Sequence, residues 1–249
     1  MKPLISFVMP SANTEFCTDA IKSIQKQTIK DWELLFFNNV PGRKVGFDDV
    51  RVKVFDRPTY SKESGGVGIA RSYNEALEKA NSDYILIVHD DDISFPERSL
   101  VTYHYLTHGF DAFYGSCLAI NKDNKILKYM PSLPYDLEFQ KKHGNRVAFG
   151  FSGFNRTKVP PFREDLPTLH DYFFNLQCGI MGIKFASTLT PLGFYRMWGE
   201  NITIRGENYR DNRMEQFKKI REILGDPTIR KGTEITKFQV DLMEQKCLI

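Results

Sequence analysis

The segment Ile85–Pro96, ILIVHDDDISFP, constrains the fold of this chain more than any other. Its branched aliphatic start reads as a strand buried on both faces, since a strand with one wet face would alternate apolar with polar residues. The run ends abruptly in Asp90, Asp91 and Asp92. Carboxylates this close repel one another or take up protons unless a cation holds them, and hard oxygen ligands suit Mg²⁺ or Mn²⁺. A diphosphate is the simplest partner for such a metal. The plainer alternative is capping of the next segment, because aspartate favours N-caps and turns. One aspartate would serve that purpose, and here three follow the strand.

A strand with two buried faces needs helices on both sides. Leu4–Met9 reads as a first strand halted by Pro10, and Phe16, Ala20, Ile21 and Ile24 then recur at helical spacing, with Asn13 or Thr14 as N-cap. Trp32–Phe37 reads as a second strand and Val50–Phe55 as a weaker third. Gly65, Gly66 and Gly68 form a loop that opens into a helix with Ile69, Ala70, Tyr73, Leu77 and Ala80 on one side, and Tyr84–Val88 closes this half. Such a βαβ pattern predicts a mainly parallel sheet with its ligands at the carboxyl ends of the strands. Pro10, Asn38 and Asp90 all fall at such ends.

Beyond Leu100 the pattern loosens. Asp111–Ile120 and Lys125–Met130 flank the turn NKDN as a hairpin, and Pro131–Arg146 reads as a long polar loop suited to a substrate lid. Asp211–Leu224 reads as a helix packing Met214, Phe217, Ile220 and Leu224 on the body. Its Lys218, Lys219 and Arg221 leave a second reading open, peripheral attachment to a membrane surface.

Composition excludes several classes. With 249 residues, 41% of them hydrophobic, the chain can bury one large core or a core with a smaller appended region. A net charge of +3 with scattered basic residues argues against a nucleic-acid partner. Cys17, Cys117, Cys178 and Cys247 form no C-x-x-C, so neither a zinc site nor a redox pair is indicated, and reduced thiols in a cytoplasmic protein are expected. No apolar stretch approaches the roughly 20 residues of a membrane span, and MKPLISFVMPSA reads as a strand rather than a signal peptide. GFSGF is not G-x-S-x-G, the glycine loop lacks G-K-[ST], and His104 with His108 lacks the glutamate of H-E-x-x-H.

Several ordered blocks between about Leu4 and Thr203 resemble the family 2 glycosyltransferases of GT-A fold. PSAN after the first strand resembles the family's P-T-Y-N, and SIQKQTIKDWELL resembles S-I-x-x-Q-T-x-x-x-W-E-L. GVGIARSYNEALEKANSDYILIVHDDDISFP resembles G-x-x-x-A-R-N-x-G-L-x-x-A-x-G-x-Y-I-x-F-L-D-x-D-D-x-x-x-P. The resemblance implies a single α/β GT-A domain with a mainly parallel Rossmann-like sheet flanked by helices and a less regular acceptor-side second half. Residues 1–98 would bind the nucleotide sugar, 99–205 would hold the acceptor and catalytic half, and 206–249 would form a C-terminal helical extension.

The same resemblance implies transfer of a sugar, with inversion, from a UDP- or GDP-linked donor to a glycan or other hydroxyl, with Mn²⁺ or Mg²⁺ as cofactor. It makes Asp91 the principal metal ligand and Asp92 its support, with Asp90 reaching the ribose or the metal. Pro10, Ser11, Asn13, Asn38 and Arg71 would line the donor. FREDLPTLHDYFFNL resembles F-x-E-D-x-x-x-x-E-D-x-x-x-x-x-L, which puts Asp171 at the general base, with Glu164 and Asp165 as rivals. Gly153, His170 and Trp198 fall on the acceptor side.

The chain departs from the family pattern at three places. Asn38 and Asn39 stand where the family commonly has two acids, which leaves the nucleotide base open. His89 replaces the first acid of D-x-D, and Trp198 stands where a histidine can ligate the metal, an indole being suited to stack on a sugar ring instead. These departures motivate an alternative, a degenerate domain that binds nucleotide or glycan without turnover. A nucleotidyltransferase would want a glycine-rich, lysine-bearing loop that PSANTEF does not offer.

Overall fold

The computed structural model describes residues 2–12, 15–58, 66–166, 168–198 and 207–229. In chain order these hold β1 (Ile5–Ser11), α1 (Cys17–Gln25), β2 (Trp32–Asn38), β3 (Val52–Asp56), α2 (Gly66–Lys79), β4 (Tyr84–Ile87), β5 (Ile93–Ser94) and α3 (Arg98–Thr107). There follow β6 (Ala112–Ile120), β7 (Ile126–Met130), α4 (Leu137–His143), a 3-10 turn at Phe149–Phe151, β8 (Ser152–Asn155), α5 (His170–Ile180), β9 (Phe185–Arg196) and α6 (Glu207–Leu224). All nine strands join one sheet in the order β3-β2-β1-β4-β8-β6-β9-β5, with β7 paired to β6 beside this path.

The first half is parallel, as the βαβ pattern implied: β2 pairs with β1 and β3, and β1 with β4. The second half mixes directions. β8 runs antiparallel to both β4 and β6, β6 and β7 form the expected hairpin, and β9 lies parallel to β6.

Side chains alternate across a strand, so each buried strand feeds two layers. Ile5, Phe7 and Met9 join Leu34, Phe36, Leu86 and Val88 against Cys17, Ala20, Ile21 and Ile24 of α1. Val8, Leu35, Phe37, Ile85 and Ile87 face the other way, onto Ala70, Tyr73 and Ala76 of α2. Pro10 fits within β1 because Val8 O accepts from Val88 N, so the nitrogen two residues on faces the side where β4 has left the ladder. α6 packs Phe217 and Ile220 on Tyr172, Phe173 and Leu176 of α5.

Three sequence expectations need correction. Pro131–Arg146 is not a loose lid, since it contains α4, whose N-cap Asp136 accepts from Phe139 N at 2.9 Å and which stops at left-handed Gly144. Tyr135 stacks on Phe185 at 4.0 Å and Tyr172 donates to Gln140 O, which fastens the segment to the body. Gly66 and Gly68 lie inside α2 rather than in a preceding loop. α1 begins at Cys17 with Phe16 at its N-cap position and no side-chain cap, while Asn13, Thr14 and Gly65 lie outside the described residues. Cys17, Cys117 and Cys178 are buried free thiols, and Cys247 also lies outside the described residues. No helix among the described residues is long and apolar enough to cross a membrane.

Buried Glu33 ties the amino ends of the parallel strands together. Its carboxylate accepts from Ser6 Oγ at 2.6 Å, Asn81 N and Nδ2 at 2.7 Å, and Lys53 Nζ at 2.6 Å. Burial alone would raise its pKa, but Lys53, Ser6 and Asn81 outweigh burial and hold it below the usual value. Its stabilising share is therefore present at neutral pH and lost as acid protonates the folded carboxylate. Glu33→Ala is expected to cost about 3 kcal/mol, read as a lower urea midpoint. Nucleotide affinity should not change, because the cluster sits at the opposite end of β1 from Ser11.

Candidate functional site

The order β3-β2-β1-β4 contains a switch point: the chain leaves β1 for β2 on one side, then crosses from β3 to β4 on the other. The crevice between the carboxyl ends of β1 and β4 is where such sheets bind ligands. Ser11 Oγ, at the end of β1, donates to Asp90 Oδ2 across that crevice at 2.8 Å. Asp91 Oδ2 accepts from Trp198 Nε1 at 3.0 Å, just beyond β9. Asp92 is fully enclosed; its Oδ1 accepts from Arg196 N at 3.0 Å, and its Oδ2 lies 3.3 Å from His89 Nδ1.

Two buried arginines underlie these acids. Arg196 donates from Nε to Asp91 O at 3.0 Å, and its guanidinium lies 4.1 Å over the Phe16 ring. Arg98 donates to Ser94 Oγ at 2.8 Å and to Ile87 O, and it faces Asp92 electrostatically while burial pulls its pKa down to about 9. Burial first, then the charges of Asp92 and Asp90, push the Asp91 carboxyl up to about 7, against the opposing pull of His89 and the Trp198 N–H. His89 moves upward too: burial lowers it, but Asp92, then Asp91 and Asp90, more than offset that.

His89, Asp91 and Asp92 each offer one ligand atom, all within 4.8 Å of one another. Asp92 Oδ2 is buried with only the His89 ring nitrogen at 3.3 Å beside it, and two carboxylates with one imidazole are a compatible donor set for Mn²⁺ or Mg²⁺. The residues therefore fit a divalent cation. Gly150 keeps this corner open. A Cβ there would stand 2.7 Å from His89 Nδ1 and 2.9 Å from Asp92 Oδ2, inside contact distance.

Asp171 approaches from the second half, in the first turn of α5. The preceding Leu169 adopts left-handed backbone at φ 58°, a conformation that costs a branched residue free energy and is held by its burial. Asn145 Nδ2 donates to Asp171 Oδ2 at 2.9 Å, and Asn145 Oδ1 accepts from Asn175 Nδ2 at 3.0 Å. Burial pulls the His170 pKa down, which keeps that imidazole neutral, and its Nδ1 is enclosed without a hydrogen bond. Buried Tyr73 stands between the groups: burial, then Asp171, Asp90 and Asp92 in turn, push its hydroxyl well upward. One phenol thus feels the carboxylates of both halves of the chain.

The rivals to Asp171 are engaged elsewhere. Asp165 is paired with Arg163 at 2.6 Å and Lys219 at 2.9 Å, which hold its carboxyl far below the usual range. Glu164 accepts from Arg71 Nε at 3.2 Å and Asn74 Nδ2 at 2.9 Å. That bond turns half-exposed Arg71 toward Glu164. Asn38 is buried, giving Nδ2 to Arg43 O and Asp56 Oδ1 and taking Arg43 Nε on Oδ1 at 2.7 Å. Gly153 lies in β8 in register with Leu86, where a Cβ would meet Thr102 of α3 at 2.6 Å; the glycine facing the acids is Gly150. Asn13 lies outside the described residues. Sequence reasoning did not single out Gly150, Tyr73, Asn145, Arg98 or Arg196 as site residues, and it treated His89 as a lost acid, whereas its ring nitrogen clusters with Asp91 and Asp92.

Comparison with known proteins places this geometry among sugar transferases. The profile of Glycosyl transferase family 2 matches residues 6–164. The UDP-Glc:alpha-D-GlcNAc-diphosphoundecaprenol beta-1,3-glucosyltransferase WfgD of Escherichia coli is 26% identical over 90% of this chain and 86% of its own length. An uncharacterized glycosyltransferase of Methanocaldococcus jannaschii is 27% identical over 74% of this chain and 67% of its own. Among solved structures, S. aureus TarS 1-349 in complex with UDP superposes with a TM-score of 0.62 at 13% identity, covering 87% of this chain. The match spans 64% of that structure, so this chain is shorter than its structural relative. The likeness shows the GT-A fold.

Two outcomes follow from the crowded acids. Folded Asp91 binds its proton more tightly than an unfolded aspartate of pKa about 4, so the metal-free protein should lose stability as pH rises from there toward about 7. Asp91→Asn should flatten that decline and raise Tm at neutral pH; an unchanged profile would remove like-charge crowding as its cause. Gly150→Ala should cost about 1–3 kcal/mol by overpacking, read by thermal unfolding. Wild-type stability would mean that the His89 ring has room to swing aside.

Proposed function

Because the chain belongs to glycosyl transferase family 2, we propose that it moves a sugar, with inversion, from a nucleoside diphosphate to an acceptor hydroxyl. One observation carries this reading: the acids crowd the carboxyl end of β4 at the switch point, and two of them, Asp90 and Asp92, share the surroundings of the buried Tyr73 hydroxyl with Asp171 from the other half of the chain. A donor-side corner and a lone base on opposite walls are what an in-line displacement requires. WfgD, named for UDP-glucose and a diphosphoundecaprenol-linked sugar, supports a UDP-linked donor and a glycan acceptor of that type here.

In this reading Ser11 and Asp90 meet the ribose and diphosphate at the switch point, and Asp171 removes the proton from the acceptor hydroxyl. The hydroxyl oxygen bonds to the anomeric carbon as the bond to the diphosphate oxygen breaks. The proton goes to Asp171 and the electron pair to the departing diphosphate. Asn145 fixes one Asp171 oxygen, and the first turn of α5 sets the position of the carboxylate. Neutral His170 beside it offers a ring nitrogen to the acceptor. Asp91, with Asp92 and His89, would hold Mn²⁺ or Mg²⁺, which when bound would supply charge neutralisation on the leaving diphosphate.

A second reading, a binding domain without turnover, draws on one contact: the Trp198 N–H already satisfies an Asp91 oxygen. The two separate by experiment. Asp171→Asn should lower kcat by about 10²- to 10⁴-fold with donor affinity nearly intact, measured by release of UDP from UDP-sugars. Mn²⁺ should strengthen UDP binding in calorimetry, and Asp91→Ala should abolish that gain. Equal binding with and without metal, together with no turnover on any donor, would favour the second reading.

A further inference from the structure

The β6–β7 hairpin carries an exposed apolar edge for which sugar transfer has no use. Ile126 is 63% exposed and Leu127 53%; Tyr129 is 37% exposed, and its hydroxyl donates to the carbonyl of Leu189, itself 60% exposed. The register slips between Ala119 and Ile120, so Tyr129 pairs with Leu118 and Ile126 with Ile120; Ile126 and Tyr129 therefore share one flank, and Leu127 is the extra residue of the bulge. The edge is a fin with apolar groups along one flank and at its bulge. Contiguous exposed apolar surface of this kind marks an interaction site.

The fin is also basic. Lys122, Lys125 and Lys128 are interleaved with the apolar residues, against a single acid, Asp123. Its turn is firmly built: Asn121 Oδ1 accepts from Asp123 N at 3.0 Å and Lys125 N at 2.9 Å, and Asn124 takes the left-handed conformation at φ 64°. Arg196 donates to Asn121 O, Lys122 O and Asn124 Oδ1 while its Nε holds Asp91 O. One guanidinium therefore bolts the fin to the acidic corner.

We propose that this fin docks on an anionic phospholipid bilayer, with Ile126, Leu127 and Tyr129 at the headgroup–acyl boundary and exposed Lys122 and Lys125 over the lipid phosphates. A second copy of the chain fits less well, because lysines along an unpaired strand edge oppose edge-to-edge pairing. The basic face of α6 is a poorer candidate: Lys219 is bonded to Asp165 and Arg221 to Ile229 O. Docking at the fin would hold the acidic corner close to the bilayer surface. The inference goes beyond the transferase reading and does not depend on which sugar moves.

Flotation of the full chain with lipid vesicles tests it. The protein should float with equal parts phosphatidylglycerol and phosphatidylcholine, stay behind with phosphatidylcholine alone, and release as salt rises. Ile126→Asn combined with Leu127→Asn should weaken partitioning on the order of tenfold or more, as should Lys122→Gln combined with Lys125→Gln. Ile180→Asn with Met181→Asn, which alters exposed apolar residues at the end of α5, should bind like wild type. Circular dichroism and UDP-induced thermal shift confirm that each variant is folded. The proposal falls if anionic vesicles recruit nothing, if both vesicle types bind equally, or if the fin variants float like wild type. It also falls if sedimentation equilibrium reveals a dimer that the fin substitutions abolish, since the occupant is then a second copy.

Discussion

Asp90, Asp91 and Asp92 leave the buried end of β4 as more negative charge than such a place tolerates, and much of the surrounding structure answers to that charge. Ser11 from β1 donates to the first, Trp198 from beyond β9 to the second, and Arg196 N with His89 faces the third. Arg98 supplies a buried positive charge beneath them. Compensation is incomplete, since Asp91 is still pushed up to about 7. A cluster whose own donors leave part of its charge unanswered is chemically compatible with a cation. Stability given up here is recovered elsewhere, at fully satisfied Glu33 for example, on the opposite end of the same strands.

The sheet order explains why that charge can be reached. Parallel strands bring the loops after β1 and β4 to one edge, and the reversal between them opens the crevice. Antiparallel β8 and the parallel β6–β9 pair then return the chain so that Asp171, Gly150 and Trp198 close around the same edge. Arg196 serves both the acids and the β6–β7 turn, so the acidic corner and the hairpin are one rigid construction.

Where sequence reasoning failed, the cause was local. The Pro131–Arg146 segment looked like a lid because its proline and polar content masked seven helical residues, although Asp136 and Gly144 bracket them as N-cap and C-terminal glycine. Gly153 stood out beside Gly150 in the same GFSGF run, and nothing in the string says which of them the acids will touch. The register of β8 against β4 decides it, burying Gly153 against α3 and leaving Gly150 under His89. Tyr73 counted only as part of an apolar helix face, because its hydroxyl acquires meaning from carboxylates far away in the chain.

Periodicity and ordered blocks determined, from the sequence alone, the βαβ half, the hairpin, the fold and the placement of acids at the end of a buried strand. Those features depend on interactions between near neighbours, which repeat at 3.6 or 2 residues and so leave a trace in the string. Only the tertiary structure decided that His89 joins Asp91 and Asp92, and that Asp165 and Glu164 are already paired while Asp171 shares the buried Tyr73 hydroxyl with Asp90 and Asp92. Trp198 meets an acid 107 positions earlier, and Arg196 binds another 104 positions earlier. Contacts of that span are set by sheet order and register, which no local pattern encodes.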